Sequence, residues 1–466
     1  MPRLKKKRLI AQGIVFIGLL VVTLAAASQI KVVREFFGQA SGTPANFLVN
    51  TQAVVGTMPR PWRNLAQGGE DHNWSLTPIS NQVRTLNPEY IRIDHIYDFY
   101  DIVQGSPGNL SFNFDKLDRV VDEILATGAK PYIVLSYMPP AISKGDIVDQ
   151  PVNYADWQVV VQRTIQHISG TRGISDVYYE VWNEPDLFGG WKYYGNKNYL
   201  TLYTYAAKGA MATRGVKPFK IGGPATTALY KNWIDALLKH VAKNNLRLDF
   251  ISWHSYTYDT DQYRQDILRA RSWVAAYPQF NGLVETQITE WGHDSKNNSG
   301  YDSRFAAAHT VAGAINMVGI ASRAFVFEIQ DGNDPTGRTY WGRWGLFTSP
   351  TTGSKPKPRY WGLRMLDSLA DQRLEILGQG SWVKGLAAKT VDDKIQVVLA
   401  NYDPRGKHIE SVPITFAQIQ PGKYLIKTRR LSGKNSRLYV STSSAALKIN
   451  IPMFANDVAF LEMSRE

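Results

Sequence analysis

The sequence predicts an α/β fold of the (β/α)8 type, a TIM barrel, with a small C-terminal antiparallel β-sandwich domain and an N-terminal transmembrane helix. Three observations carry the barrel. Short apolar, β-branched runs alternate with amphipathic helical stretches from about residue 50 to residue 370. Strands alternating with helices argue for a parallel sheet. No glycine-rich phosphate loop follows the first run, which counts against a doubly wound open sheet. Polar, reactive residues recur at the C-terminal ends of several runs, where such barrels gather their chemistry.

The expected strands are 52–57, 90–96, 130–136, 177–183, 218–223, 249–255, 284–290 and 323–329. The expected helices are 115–127, 154–168, 199–213, 230–243, 261–276, 303–318 and 359–369. From about 376 the texture changes. Ile395–Ala400 and Val458–Met463 read as strands, Asp403-Pro404-Arg405-Gly406 and Pro421-Gly422 as turns, and helical periodicity fades. The domains so drawn are a barrel over 47–375 and a β-sandwich over 376–466, with a strand from 45–50 available to pair into the latter.

The N-terminus reads as a membrane device. Residues 1–8 hold five basic groups, and Leu9 to Ala27 is a 19-residue stretch without charge. At about 1.5 Å per residue it just crosses a hydrocarbon core of roughly 30 Å. The basic flank puts the N-terminus in the cytoplasm and the body outside it. Residues 28–46 then form a stalk. The competing expectation is a signal peptide cleaved after Ala25-Ala26-Ala27, which would release a secreted body.

Composition removes several classes of function. Of 466 residues 44% are hydrophobic and 20% charged, an ordinary globular balance. With no cysteine there is no disulfide, zinc-thiolate site, iron–sulfur cluster or thiol nucleophile. Net charge is +13 but no long basic run lies beyond residue 8, and no nucleic-acid module is evident. The eight histidines are scattered and no His-x-x-x-His pair occurs, so no metal ligand set is read. The 13 Trp and 24 Tyr suit either a large aromatic core or stacking on sugar rings.

Two glutamates stand out. Glu184 lies in Tyr179-Glu180-Val181-Trp182-Asn183-Glu184-Pro185, and Glu290 in Ile288-Thr289-Glu290-Trp291-Gly292. Each ends a strand-like run, and Pro185 turns the chain away from the first. Glycosidic cleavage needs one carboxylic acid to protonate the leaving oxygen and a second carboxylate to attack or to activate water. Glu290 is the candidate nucleophile and Glu184 the candidate acid/base. Asn183 offers an amide to a substrate hydroxyl. Arg92 is placed to keep Glu290 ionised, since a nearby cation favours the carboxylate. His254 and Tyr256 end the sixth strand, beside the seventh. Glu180 should lie about 13 Å down its strand from Glu184 and serve the structure. Asp331 is a candidate for sugar hydroxyls, and Glu328 a weaker one. Trp291, Trp341, Trp344, Tyr137 and Tyr258 are candidate stacking platforms.

These motifs resemble clan A glycoside hydrolases, most of all glycoside hydrolase family 39 and its endoglycosidase relatives. The resemblance rests on Tyr179–Pro185, Ile221-Gly222-Gly223-Pro224-Ala225, Asp249–Tyr256 and Ile288–Trp291, and covers roughly residues 50–370. Trp344–Phe347 and Lys357–Tyr360 resemble the closing segment of such barrels. It implies a retaining mechanism with Glu184 as acid/base, Glu290 as nucleophile, and Arg92, Asn183, His254 and Tyr256 in support. It implies no cofactor. The expected partner is a poly- or oligosaccharide, with a membrane through residues 9–27 and a monomeric body. A non-hydrolytic glycan-binding or exopolysaccharide-assembly protein is the alternative. Two departures stand out. Phe325-Val326-Phe327-Glu328 replaces a tryptophan frequent on the eighth strand of the clan, and Asp186 follows Asn-Glu-Pro where asparagine is frequent.

Overall fold

The computed structural model describes residues 42–69 and 71–466. The apolar run 9–27 and most of the expected stalk lie outside the described residues. Among the described residues no helix is long and apolar enough to cross a membrane.

The strands, in chain order, are β1 Phe47–Thr57, β2 Asn64–Gln67, β3 Tyr90–Ile93, β4 Val103–Ser106, β5 Asn109–Phe112, β6 Lys130–Leu135, β7 Val177–Val181, β8 Phe219–Thr226, β9 Phe250–Tyr256, β10 Glu285–Gly292 and β11 Arg323–Phe327. Then follow β12 Gln372–Leu377, β13 Val383–Lys389, β14 Ile395–Asn401, β15 Glu410–Ala417, β16 Gly422–Arg430, β17 Ser436–Thr442, β18 Ala446–Met453 and β19 Asp457–Arg465. Eight of them close a parallel barrel in the order β2-β3-β6-β7-β8-β9-β10-β11. The crossover helices include Asp115–Ala126, Tyr154–Ile165, Tyr199–Ala212, Lys231–Asn244, Thr260–Ala275 and Arg304–Met317, with Pro358–Asp367 after the last stave.

The first stave is not the expected 52–57. A strand inside a parallel barrel is covered on both faces. Asn64, Leu65, Ala66 and Gln67 are all buried, whereas beyond Thr51 the strand β1 is largely exposed. Val54 and Val55 give β1 the β-branched composition of a buried stave, whereas the true stave is a shorter run with polar ends. β1 instead pairs antiparallel with β12 and parallel with β15. It thereby joins a nine-stranded sheet in the order β17-β16-β19-β14-β13-β12-β1-β15-β18. That sheet is therefore mixed rather than wholly antiparallel. The boundary expected at 375 falls inside β12, which belongs to the same sheet. Phe47 and Val49 from β1 share one apolar cluster with Val397, Leu399, Ile414, Phe416, Ile426 and Leu461.

Helix Arg304–Met317 joins the two bodies. Ala306, Ala307, Ala308, Val311, Ala312, Gly313 and Ala314 are all buried. A helix apolar around its whole circumference must be covered on all sides. It packs against the barrel on one flank and against β13, β14 and β19 on the other. Tyr402, at the end of β14, adds a hydrogen bond to the Tyr258 carbonyl of the barrel at 3.0 Å.

The Phe47 side chain fills the space opposite Gly385, where an added methyl would meet its ring at 2.9 Å. Phe47→Ala is expected to lower stability by about 3–5 kcal/mol. Urea unfolding followed by far-UV circular dichroism reads this. An unchanged midpoint would show that residues ahead of the barrel do not support the C-terminal sheet.

Candidate active site

The barrel interior is layered. Tyr90, Tyr132, Tyr178, Phe250 and Phe325 fill its lower part as one aromatic cluster. One pleat further up the same strands, two residues on, stand Arg92 on β3 and Glu180 on β7, with Ser252 and then His254 on β9. Inward positions recur every second residue. Polar chemistry therefore begins where the aromatic plug ends, towards the C-terminal ends of the strands.

β7 stops at Val181, two residues before its expected end. Trp182 and Glu184 both adopt left-handed backbone, with φ 73° and 45°. Such non-glycine residues cost about 1–3 kcal/mol each and persist only where their surroundings hold them. Here Glu184 donates its N–H to the Ala225 carbonyl at 2.9 Å. The turn sends three side chains in three directions. Trp182 is buried against Trp191 and Tyr137. Asn183 accepts a hydrogen bond from Arg92, and Glu184 reaches the cavity.

β10 carries an irregularity of equal consequence. Gln287 faces inward, where its Oε1 accepts from the Tyr132 hydroxyl at 3.0 Å. Strict alternation would put Thr289 inside and Glu290 outside. The pairing with β9 shifts between Ile288 and Glu290, so Glu290 comes level with His254. One extra residue reverses the facing of everything beyond it. Glu290 thus turns inward and Trp291 outward.

Arg92 sits between the two motifs, fully buried. Its Nε donates to Glu180 Oε2, Nη1 to Glu290 Oε1 and Nη2 to Asn183 Oδ1, each at 2.8 Å. Tyr256 donates its hydroxyl to Glu290 Oε2 at 2.8 Å. His254 Nδ1 lies 2.7 Å from Glu184 Oε1 and 3.4 Å from Glu290 Oε2. Burial raises the Glu290 carboxyl above the ordinary range, and Glu184 adds to this while His254 and Arg92 pull against it. Burial opposes a charge on His254, but Glu290 and Glu184 outweigh it and lift its pKa. The two carboxyls have unlike surroundings, since Arg92 and Tyr256 hold Glu290 alone. That inequality is what acid and base roles require.

A cavity of about 460 Å³ opens over this pair. Asn183, Glu184, Tyr256 and Glu290 line it, with Tyr137 and Trp344 from the candidate platforms. Phe327 and Trp344 meet at 5.4 Å between ring centres on one wall. An indole from the following loop thus backs the eighth-strand phenylalanine. Trp341 and Tyr258 are not among the lining residues.

Trp291 and Asp331 also lie away from the cavity. Trp291 is fully buried and packs edge-on against Tyr263 at 5.2 Å, because the shift in β10 turns it away from the cavity. Asp331 is buried too. It takes Lys357 Nζ at 2.9 Å and the Gly345 N–H at 2.7 Å, closing a loop rather than meeting a sugar. Glu328 accepts from Gln67 Nε2 at 3.2 Å, and burial, reinforced by Asp331, holds its carboxyl well above the usual range.

The cavity also recruits residues that sequence reasoning passed over as site residues. Asp94 and His95 directly follow Arg92's strand, so the rule that strand ends carry chemistry had the means to find them. Gly68 and Gly69 follow β2. A methyl on Gly69 would lie 2.3 Å from the His95 ring, so only glycine allows that approach. Phe188 and Lys296 come from loops and left no pattern in the sequence.

Glu184, His254 and Glu290 bring one ligand atom each within 4.8 Å of one another, a spacing that a metal ion accepts. The Arg92 guanidinium, already 2.8 Å from Glu290, would repel a cation there.

Residues 47–395, from β1 to the start of β14, match the family model described as glycosyl hydrolases family 39. A β-xylosidase of Caldicellulosiruptor saccharolyticus is 28% identical over 320 residues, 62% of this chain and 64% of that protein. A β-xylosidase of Geobacillus stearothermophilus is 34% identical over 158 residues, 31% of each chain. The chain thus spans less than two thirds of the length of either. The crystal structure of a monomeric β-xylosidase from Caulobacter crescentus CB15 has the same fold. Its TM-score is 0.75 at 21% identity, over 90% of this chain and 99% of that one. With a match that runs through all eight staves, the chain belongs to glycosyl hydrolases family 39.

Proposed function

We propose that the protein is a retaining glycoside hydrolase. The observation that carries this is the close, unequal carboxyl pair. Oxygens of Glu184 and Glu290 approach within 4.8 Å, and Arg92 and Tyr256 grip only Glu290. Retaining enzymes hold their carboxyl groups about 5–5.5 Å apart and inverting ones about 6.5–9.5 Å, and two carboxyls whose oxygens come this near, with His254 in reach of both, favour the closer arrangement.

In the first step Glu290 attacks the anomeric carbon as the glycosidic C–O bond breaks. Glu184 gives its proton to the departing oxygen. In the second, Glu184 takes a proton from water, whose oxygen bonds to the anomeric carbon as the ester to Glu290 breaks. Two inversions return the original configuration. The names of the relatives make β-xylosides the first substrates to try. The uncharged run 9–27 behind a basic segment supports an outward-facing body held at a membrane, acting on an extracellular or envelope glycan.

Glu290→Gln should bring release of sugar from aryl glycosides and polysaccharides to background. Glu184→Ala should lose about 10²–10⁴-fold on poor leaving groups, and added azide should give a glycosyl azide of unchanged anomeric configuration. An inverted azide product would defeat the retaining mechanism. Full activity in Glu290→Gln would defeat the assignment altogether.

Tyr256→Phe removes a donor to the ionised Glu290, a bond of about 1.5–3 kcal/mol. kcat/KM should fall about 10- to 100-fold. Activity needs Glu290 ionised, so it is lost as pH falls through a pKa that burial has already raised. Removing the donor raises that pKa further, and the acidic limb of the pH profile should move to higher pH. An acidic limb that stays put, or moves down, would show that Tyr256 does not stabilise the carboxylate.

Full-length protein should remain with membranes after carbonate extraction. A soluble exported form lacking residues 1–27 would show cleavage instead of anchoring.

A further inference from the structure

A second cavity, of about 540 Å³, adjoins the first and shares Glu184, Leu187, Tyr256 and Ser295 with it. Glu290 lines only the first. In a double displacement the sugar that becomes attached must touch both carboxyls, whereas the departing group meets only the one that protonates it. Resting on the retaining reading, this asymmetry assigns sides to the two cavities.

We propose that the second cavity is the leaving-group subsite and that it takes a neutral, hydroxyl-bearing sugar. Its far wall comes from helix Thr260–Ala275, which presents Gln262, Asp266 and Arg269 on successive turns. Asp266 is buried. It accepts Gln262 Nε2 at 2.6 Å and Arg269 Nη2 at 2.8 Å. The carboxylate offsets the guanidinium charge and fixes both neighbours, so the wall offers oriented hydrogen bonds rather than a net charge.

The near wall begins at Thr227, and here one departure of the sequence finds its use. Asp186 accepts the Thr227 N–H at 3.0 Å with one oxygen and its hydroxyl with the other. An asparagine could keep the N–H on its oxygen, but its Nδ2 would have to donate to the hydroxyl, whereas the carboxylate accepts from both groups. Asp186 is thus a positioning residue for this wall. The cavity is at least as large as the one that holds the attacked ring, so it accommodates one further ring or more. A leaving group of one or more sugar residues fits it, in place of a small alcohol.

Gln262→Ala, Arg269→Ala and Asp186→Ala would each be compared with the parent on two substrates sharing one glycone. One is the 4-nitrophenyl glycoside that the parent hydrolyses from a panel of xyloside, glucoside, mannoside and galactoside. The other is the matching di- or trisaccharide. kcat/KM should fall about tenfold further on the saccharide than on the aryl glycoside. Because both substrates are assayed on one preparation, the ratio is insensitive to the fraction folded. Equal losses on the two substrates, or none, would overturn the subsite. A preference for a uronic acid in the leaving position would overturn its neutral character. A parent inert towards every substrate would overturn the hydrolase reading and this one with it.

Discussion

A guanidinium sealed from water must find acceptors for its N–H groups, and Arg92 finds them on β7, on the turn that follows it and on β10. Glu180, Asn183 and Glu290 each take one nitrogen of it at the same distance. Glu180 matters because a single carboxylate would leave the cation half-satisfied. The guanidinium thus has a carboxyl partner on either side of the barrel interior. Removing one partner of such a pair costs about 3–5 kcal/mol, since the other is left uncompensated. The glutamate that sequence reasoning set aside as structural therefore acts on the chemistry at one remove. It anchors the cation that holds the glutamate singled out as nucleophile.

Two further buried cations organise backbone around that centre. Arg359 donates to the carbonyls of Phe327, Trp291 and Trp344, tying the ends of β10 and β11 to the loop that brings Trp344 to the cavity. Lys357 lies between Asp302 and Asp331, at 2.8 and 2.9 Å, and also donates to the Arg343 carbonyl. Arg359 occupies a place where strand ends would otherwise present unpaired carbonyls away from water, and Lys357 does the same for a loop carbonyl. The cavity rim is thus held by charge-assisted hydrogen bonds as well as by packing.

Much of this was legible in the sequence because it follows from period. Helices expected at 154–168, 199–213 and 303–318 correspond to Tyr154–Ile165, Tyr199–Ala212 and Arg304–Met317. The strand ends also indicated that Glu184, Glu290, Arg92, His254 and Tyr256 would converge. The errors fall where period breaks or where polarity hides burial. Asn64–Gln67 is a barrel stave with polar ends, and Val54 and Val55 are exposed in spite of their composition. Trp291 reads as a rim residue until the shift in β10 turns it outward. Asp331 reads as free until Lys357, 26 positions later, is found against it. A left-handed turn and a one-residue register shift are tertiary choices, and no window of hydrophobicity records them.

The placement of β1 has a mechanical consequence. Coming from the N-terminal side, the chain enters the nine-stranded sheet at the third strand from one edge before it reaches the barrel, zipped between β12 and β15. Tension applied along the chain from that end would run parallel to the strand. It would load the hydrogen bonds on both sides in shear, many at a time, instead of peeling them one by one. The C-terminal sheet would absorb the pull, and the staves that carry the carboxyls would stay slack.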